Sequence, residues 1–165
     1  MANTEAKILS NAFQKARDMT RWYLSMLKTA DPRKNWEVNG VKLNSILWLS
    51  SHLAWAEQEL LLVHTGGKKT GIDWLDHYEL ESGGTVHNDT HDMRAAIDAM
   101  KLVHEKAMQH LLTINDEKMG EENINGVSFG AEKTNRILVQ HAIRHEGIHC
   151  GHLGWLCKIN GVKTI

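Results

Sequence analysis

Proline is almost missing from this sequence: Pro32 stands alone in 165 residues. Proline breaks helices by removing a donor and crowding the preceding turn, so its scarcity leaves room for long uninterrupted ones. Cysteine is nearly as rare, and the two present, Cys150 and Cys157, lie seven apart. On a helix that spacing is about 10 Å along the axis, beyond the reach of a disulfide. Reduced thiols and a cytoplasmic setting are therefore expected. Neither sign of charge dominates, with 19 basic and 20 acidic side chains and a net charge of -1. That balance disfavours nucleic acid as a partner, which calls for a basic face, and an electrostatic membrane anchor. No apolar run approaches the ~20 residues of a membrane-spanning helix. The opening Met1-Ala-Asn-Thr-Glu-Ala-Lys7 lacks the basic and apolar regions of a secretory signal. No segment with strand-period alternation competes with the helical ones.

What the chain does have is helical periodicity. Its length and its 42% apolar content suit one domain, residues 1–165, with a core of its own. Ile8, Phe13, Ala16, Met19, Trp22, Tyr23 and Met26 recur at helical spacing and predict a first helix over about residues 4–29, stopped by Asp31-Pro32. A turn signal, Asn39-Gly40, follows. The second helix is expected over about 43–64, with Asn44 or Ser45 as its N-cap and Gly66-Gly67 as its stop. Residues 65–89 form a long connection whose Trp74, Leu75, Tyr78 and Leu80 suggest that it packs down as a lid. The third helix should start at Asp89 or Thr90 and end near Ile114, and the fourth should cover about 131–159 and stop at Asn160-Gly161. The expected fold is all-α: a four-helix up-and-down bundle with a long connection between helices 2 and 3.

The most informative stretch is His141-Ala-Ile-Arg-His145-Glu-Gly-Ile-His149-Cys-Gly-His152. Histidines four apart on a helix stand one turn apart on the same face, and neutral imidazole is a common ligand for zinc, nickel, copper and iron. His145 and His149 thus offer two ligands for one ion. A third should come from a facing helix, and His52, set mid-helix among Leu49, Leu53, Ala54 and Ala56, is the best candidate. One buried histidine alone is more often a hydrogen-bonded core residue. Three converging ones cannot all find carbonyls on helices whose carbonyls are already used. His141 and His152 are candidates for a substitute ligand or for a place behind the ligands. His87 and His91, beside Asp89 and Asp92, read as exposed, and His64, His77, His104 and His110 as ordinary surface, loop or helix-edge residues. Cys150 reads as a packing residue.

His145-Glu-Gly-Ile-His149 also matches the HExxH motif of zinc proteases, in which the glutamate activates a metal-bound water. Against that reading, Trp155 stands where the extended motif has its third histidine, and no strand edge is expected to hold a peptide.

Taken together, His145-Glu-Gly-Ile-His149-Cys-Gly151-His-Leu-Gly-Trp-Leu156 with Gly161, and Trp48-Leu-Ser-Ser-His52-Leu-Ala-Trp55-Ala-Glu57, resemble the last and second helices of the DinB/YfiT-like metalloenzymes. The resemblance covers essentially the whole chain. One departure is His152, which replaces the glutamine usual after the glycine. The resemblance implies a divalent transition metal held by His52, His145 and His149, zinc or nickel first and iron or manganese next, and a homodimer. It also implies chemistry on a low-molecular-weight thiol and a small electrophilic substrate, as a thiol S-transferase, or alternatively hydrolysis. Glu146 and Glu59 are weak candidates for a general base. A non-catalytic, metal-binding or stress-related structural dimer is the alternative, with the HExxH zinc protease behind it.

Overall fold

In the computed structural model the described residues are 4–80, 82 and 91–164. His87, Asp89 and Thr90 lie outside them. Over the described residues the chain is mainly helical, with four long helices, shorter helical turns and one small hairpin. Helix α1 spans Glu5–Met26 and starts where Thr4 accepts a hydrogen bond from the Lys7 amide at 3.3 Å. Its buried stripe is Ala6, Ser10, Phe13, Arg17, Thr20 and Leu24, a period of three to four residues that lays one face against a neighbour.

The strands β1 (Glu37–Val38) and β2 (Val41–Lys42) pair antiparallel. No strand was expected here. The turn chemistry of Asn39-Gly40 accounts for them, because both residues take positive φ, 51° and 79°, as a two-residue hairpin turn requires.

Helix α2 spans Ile46–Gln58, capped by Ser45, and runs on through a π-helical turn, Glu59–Val63. Twelve of its thirteen α-helical residues are buried, which makes it the central rod. A helix apolar on nearly every side belongs inside. The connection that follows carries a short 3-10 helix, Asp73–Tyr78, whose Leu75 and Tyr78 are fully buried. Helix α3 spans Met93–Leu111 and is capped by Asp92, later than expected. A five-residue helix α4, Asp116–Gly120, occupies part of the expected loop. Helix α5 spans Asn135–Ile159 and begins at the Thr134 cap. Helix α1 packs along α5 and α2 packs along α3, while α2 also meets α5 and the 3-10 turn. Cys150 and Cys157 are both buried and unlinked. Among the described residues no helix is long and apolar enough to cross a membrane.

Candidate metal centre

The central rod and the last helix meet at three imidazoles. Nε2 of His52 lies 3.1 Å from Nε2 of His145, which in turn lies 3.2 Å from Nε2 of His149. Helical spacing brings His145 and His149 together on α5. The crossing of α2 over α5 brings His52 to them. The His52 ring is fixed from three sides: it stacks on Trp48 (4.6 Å, 11°) and Trp55 (5.6 Å, 26°), and its Nδ1 lies 2.7 Å from the Tyr78 carbonyl oxygen.

That carbonyl decides the tautomer. A carbonyl oxygen only accepts, so the His52 proton sits on Nδ1 and donates to Tyr78. Nε2 is left with a bare lone pair facing His145. One proton on His145 Nε2 can serve His52 or His149, not both. Three inward nitrogens therefore share too few protons to satisfy one another, and an unpaired buried polar atom costs free energy. A cation resolves this, and the spacing suits one: ligands about 2.05 Å from a tetrahedral zinc lie about 3.3 Å apart. The three donor atoms all lie within 4.8 Å of one another, a group that could hold a metal ion.

Electrostatics keep the site ready for a cation. Burial, and then the neighbouring imidazoles, push His145 and His149 down to about 3. Burial also lowers His52, against the raising effect of its bond to Tyr78. All three are neutral near pH 7, so their lone pairs are free to coordinate.

The other expected residues fall around this centre. His152 is exposed, and its Nδ1 lies 3.2 Å from Nδ1 of His149, the ring nitrogen that does not join the cluster. It is placed to orient His149 from behind. His141 stacks on Phe129 at 3.5 Å, with its ring centroid 5.9 Å from that of His145. Glu59 stands seven residues beyond His52, about 10 Å further along the helix, and faces Lys69 at 3.9 Å.

Glu146 points away from the cluster into the core. It is 1% exposed, accepts from Thr20 at 2.5 Å and pairs with Arg17 at 3.1 Å. Arg17 also binds Glu57 at 2.8 Å, and Glu57 binds His104 Nδ1 at 2.7 Å, while His104 Nε2 meets Gln14 at 2.7 Å. Burial pushes the Glu146 carboxyl up, opposed by Arg17 and Thr20.

Two histidines differ from expectation. His104 is buried as a member of this network, not an edge residue. His91 is buried rather than exposed: its Nε2 is 2.9 Å from Ser51 Oγ, and its ring stacks on Trp74 at 3.7 Å. His64 meets Asn125 at 2.6 Å, His110 meets Thr65 at 3.0 Å, and His77 is exposed. Sequence reasoning missed Arg17 as the hub, although the signal was present: an arginine stands four residues after Phe13 on the apolar stripe of α1.

The chain matches the DinB superfamily over residues 12–153. The matched span begins in α1 and takes in His52, His145 and His149. The chain belongs to the DinB superfamily. A search of curated proteins returns no match.

Proposed function

We propose that this DinB-superfamily chain is a divalent-metal enzyme, one domain over residues 1–165, built as an up-and-down four-helix bundle. Nε2 of His52, His145 and His149 would hold the ion, with a further position left for a reactant. The observation that carries this reading is the convergence of the three nitrogens at 3.1 and 3.2 Å with too few protons between them. Nitrogen donors favour zinc or nickel, ahead of iron or manganese. Held by three neutral ligands, such an ion would keep its full charge and would lower the pKa of a bound water or thiol toward neutrality.

The protein's own residues would do the rest. The Tyr78 carbonyl holds the His52 tautomer, and His152 holds the His149 ring, as partners behind metal ligands commonly do. Trp48 and Trp55 keep the His52 side of the site dry. The reaction we favour joins a low-molecular-weight thiol to a small electrophile, with hydrolysis as the neighbouring possibility. The proton of that water or thiol would leave to solvent, so no basic residue is needed to make the nucleophile, which agrees with Glu59 and Glu146 both being engaged elsewhere. A peptidase reading has little support, because both Glu146 oxygens are occupied in the core and cannot activate water. A closed structural site, as in a non-catalytic or stress-related dimer, would need a fourth protein ligand. His152 meets His149 through the wrong nitrogen for that role. A homodimer and a cytoplasmic setting complete the proposal; the first rests on the family and the second on the reduced cysteines.

The test is elemental analysis of untagged protein, followed by substitution with cobalt(II) and titration with cysteine. One ion per chain is expected, with a thiolate-to-metal absorption band appearing on titration. Substoichiometric metal would overturn the metal reading. Full metal without the band would overturn the thiol reading and leave hydrolysis.

A further inference from the structure

A groove of about 620 Å³ opens beside the imidazole cluster. Its wall is formed by Val38 and Leu43 at the hairpin, Leu49 of α2, and Trp155, Leu156 and Ile159 of α5. One helical register and one contact, on the Nδ1 side of His149, place it next to the candidate centre, whose three imidazoles do not themselves line it. Leu49 is three residues, one helical turn, before His52. His152 lines the groove and touches His149. The volume lies within the range of pockets that enclose a small organic molecule.

The lining is chemically lopsided. Beyond the six apolar side chains it has Asn44, His152 and one ionised residue, Lys42. Trp155 is 64% exposed and Val38 47% exposed, large apolar surfaces that a ligand would remove from water. A second lysine, Lys158, stands outside the lining with its ammonium 5.3 Å over the Trp155 ring, which leaves Lys42 to meet a single negative charge.

We propose that this groove seats the organic substrate, and that the substrate is a small monocarboxylate with an apolar body. The apolar part lies on Trp155, Leu156 and Ile159, and the carboxylate faces Lys42. The inference rests on the metal reading for its place beside the reacting centre, but the binding itself does not require the ion.

The experiment is calorimetric titration of the untagged protein with 3-phenylpropionate and with its uncharged amide, 3-phenylpropanamide, with metal content measured on the same samples. The acid should bind about fivefold more tightly than the amide, the scale of one exposed charge pair. Lys42→Gln should erase that preference. Trp155→Ala should weaken both probes about tenfold, as loss of an aromatic anchor does. Trp155 is exposed, so its truncation spares the core, and metal content should stay unchanged in both variants. Equal binding of acid and amide to the parent protein, or a preference that survives Lys42→Gln, would overturn the proposal. So would failure of both probes to bind protein carrying its full metal. If the groove is instead covered by a second copy, neither probe binds, and Trp155→Glu lowers the sedimenting mass. If the untagged protein carries no metal and still prefers the acid, the missing metal sinks the metal reading and the groove proposal stands.

Discussion

Helices α2 and α5 each serve two polar clusters, one fully buried and one partly so, and the two are completed in opposite ways. On one side, His52, His145 and His149 aim three nitrogens of the same kind at one point. On the other, Glu57 and Glu146 aim carboxylates at Arg17 of α1, with His104 and Thr20 on the remaining oxygens. The Arg17 guanidinium also lies 5.6 Å over the Phe13 ring, although its Nε and Nη1 lack partners. The second cluster finds its opposite charges within the chain, so it can hold four helices, α1, α2, α3 and α5, together without help. The first has fewer protons than it needs for its three nitrogens, and a cation from outside could complete it. Both draw their side chains at least partly out of water. Complementarity separates a structural polar cluster from a binding one.

That contrast can be broken by experiment, and the largest effect should be on metal. His145→Ala removes the nitrogen that contacts both others, and stoichiometric metal should be lost entirely after dialysis, as read by elemental analysis. Full metal in this variant would end the distinction drawn above. Arg17→Met should do the reverse. It strands two buried carboxylates, and breaking such a pair costs about 3–5 kcal/mol, measurable by urea denaturation. Metal should still bind to the fraction that remains folded.

The two clusters should also differ in their response to acid. In metal-free protein, His145 and His149 are held down to about 3 when folded, against about 6.5 when unfolded. The unfolded chain therefore takes up protons first as the pH falls. The stability contributed by the neutral rings is complete above about pH 6.5 and is lost progressively toward about pH 3. Denaturation midpoints across that range should decline, and adding zinc should shift the decline to lower pH because the ion competes with protons. A flat profile would mean that the rings are not held neutral by the fold. The smallest effect should come from His152→Ala, which removes a partner behind a ligand and should weaken metal affinity about tenfold. Complete loss of metal there would promote His152 to a ligand.

The candidate site was legible in the sequence to the extent that it is local. His145 and His149 are four apart, and helix geometry alone puts them on one face. His52 could be singled out because its neighbours are apolar, so a polar ring there needs a partner. The Tyr78 carbonyl could not be anticipated, since a backbone oxygen carries no mark in the sequence and its approach depends on how the 3-10 turn packs onto α2. His104 and His91 read as ordinary because their partners, Glu57 and Ser51, are distant in sequence, at 47 and 40 residues. The hairpin at Glu37–Lys42 was hidden because two-residue strands have no period to detect, although its Asn39-Gly40 turn was visible.

The sequence by itself determined the long helices, a cap for the second of them at Asn44 or Ser45 and the pairing of two imidazoles on α5, because hydrogen bonds and side-chain directions within a helix repeat over three or four residues; the start of α5 at Thr134 came later than the expected residue 131. Only the tertiary structure decided that His52 meets that pair, that Glu146 turns inward to Arg17, and that an apolar groove opens beside His152. Each of these depends on how separate helices cross, and a crossing is set by the packing of whole faces rather than by any short run of residues.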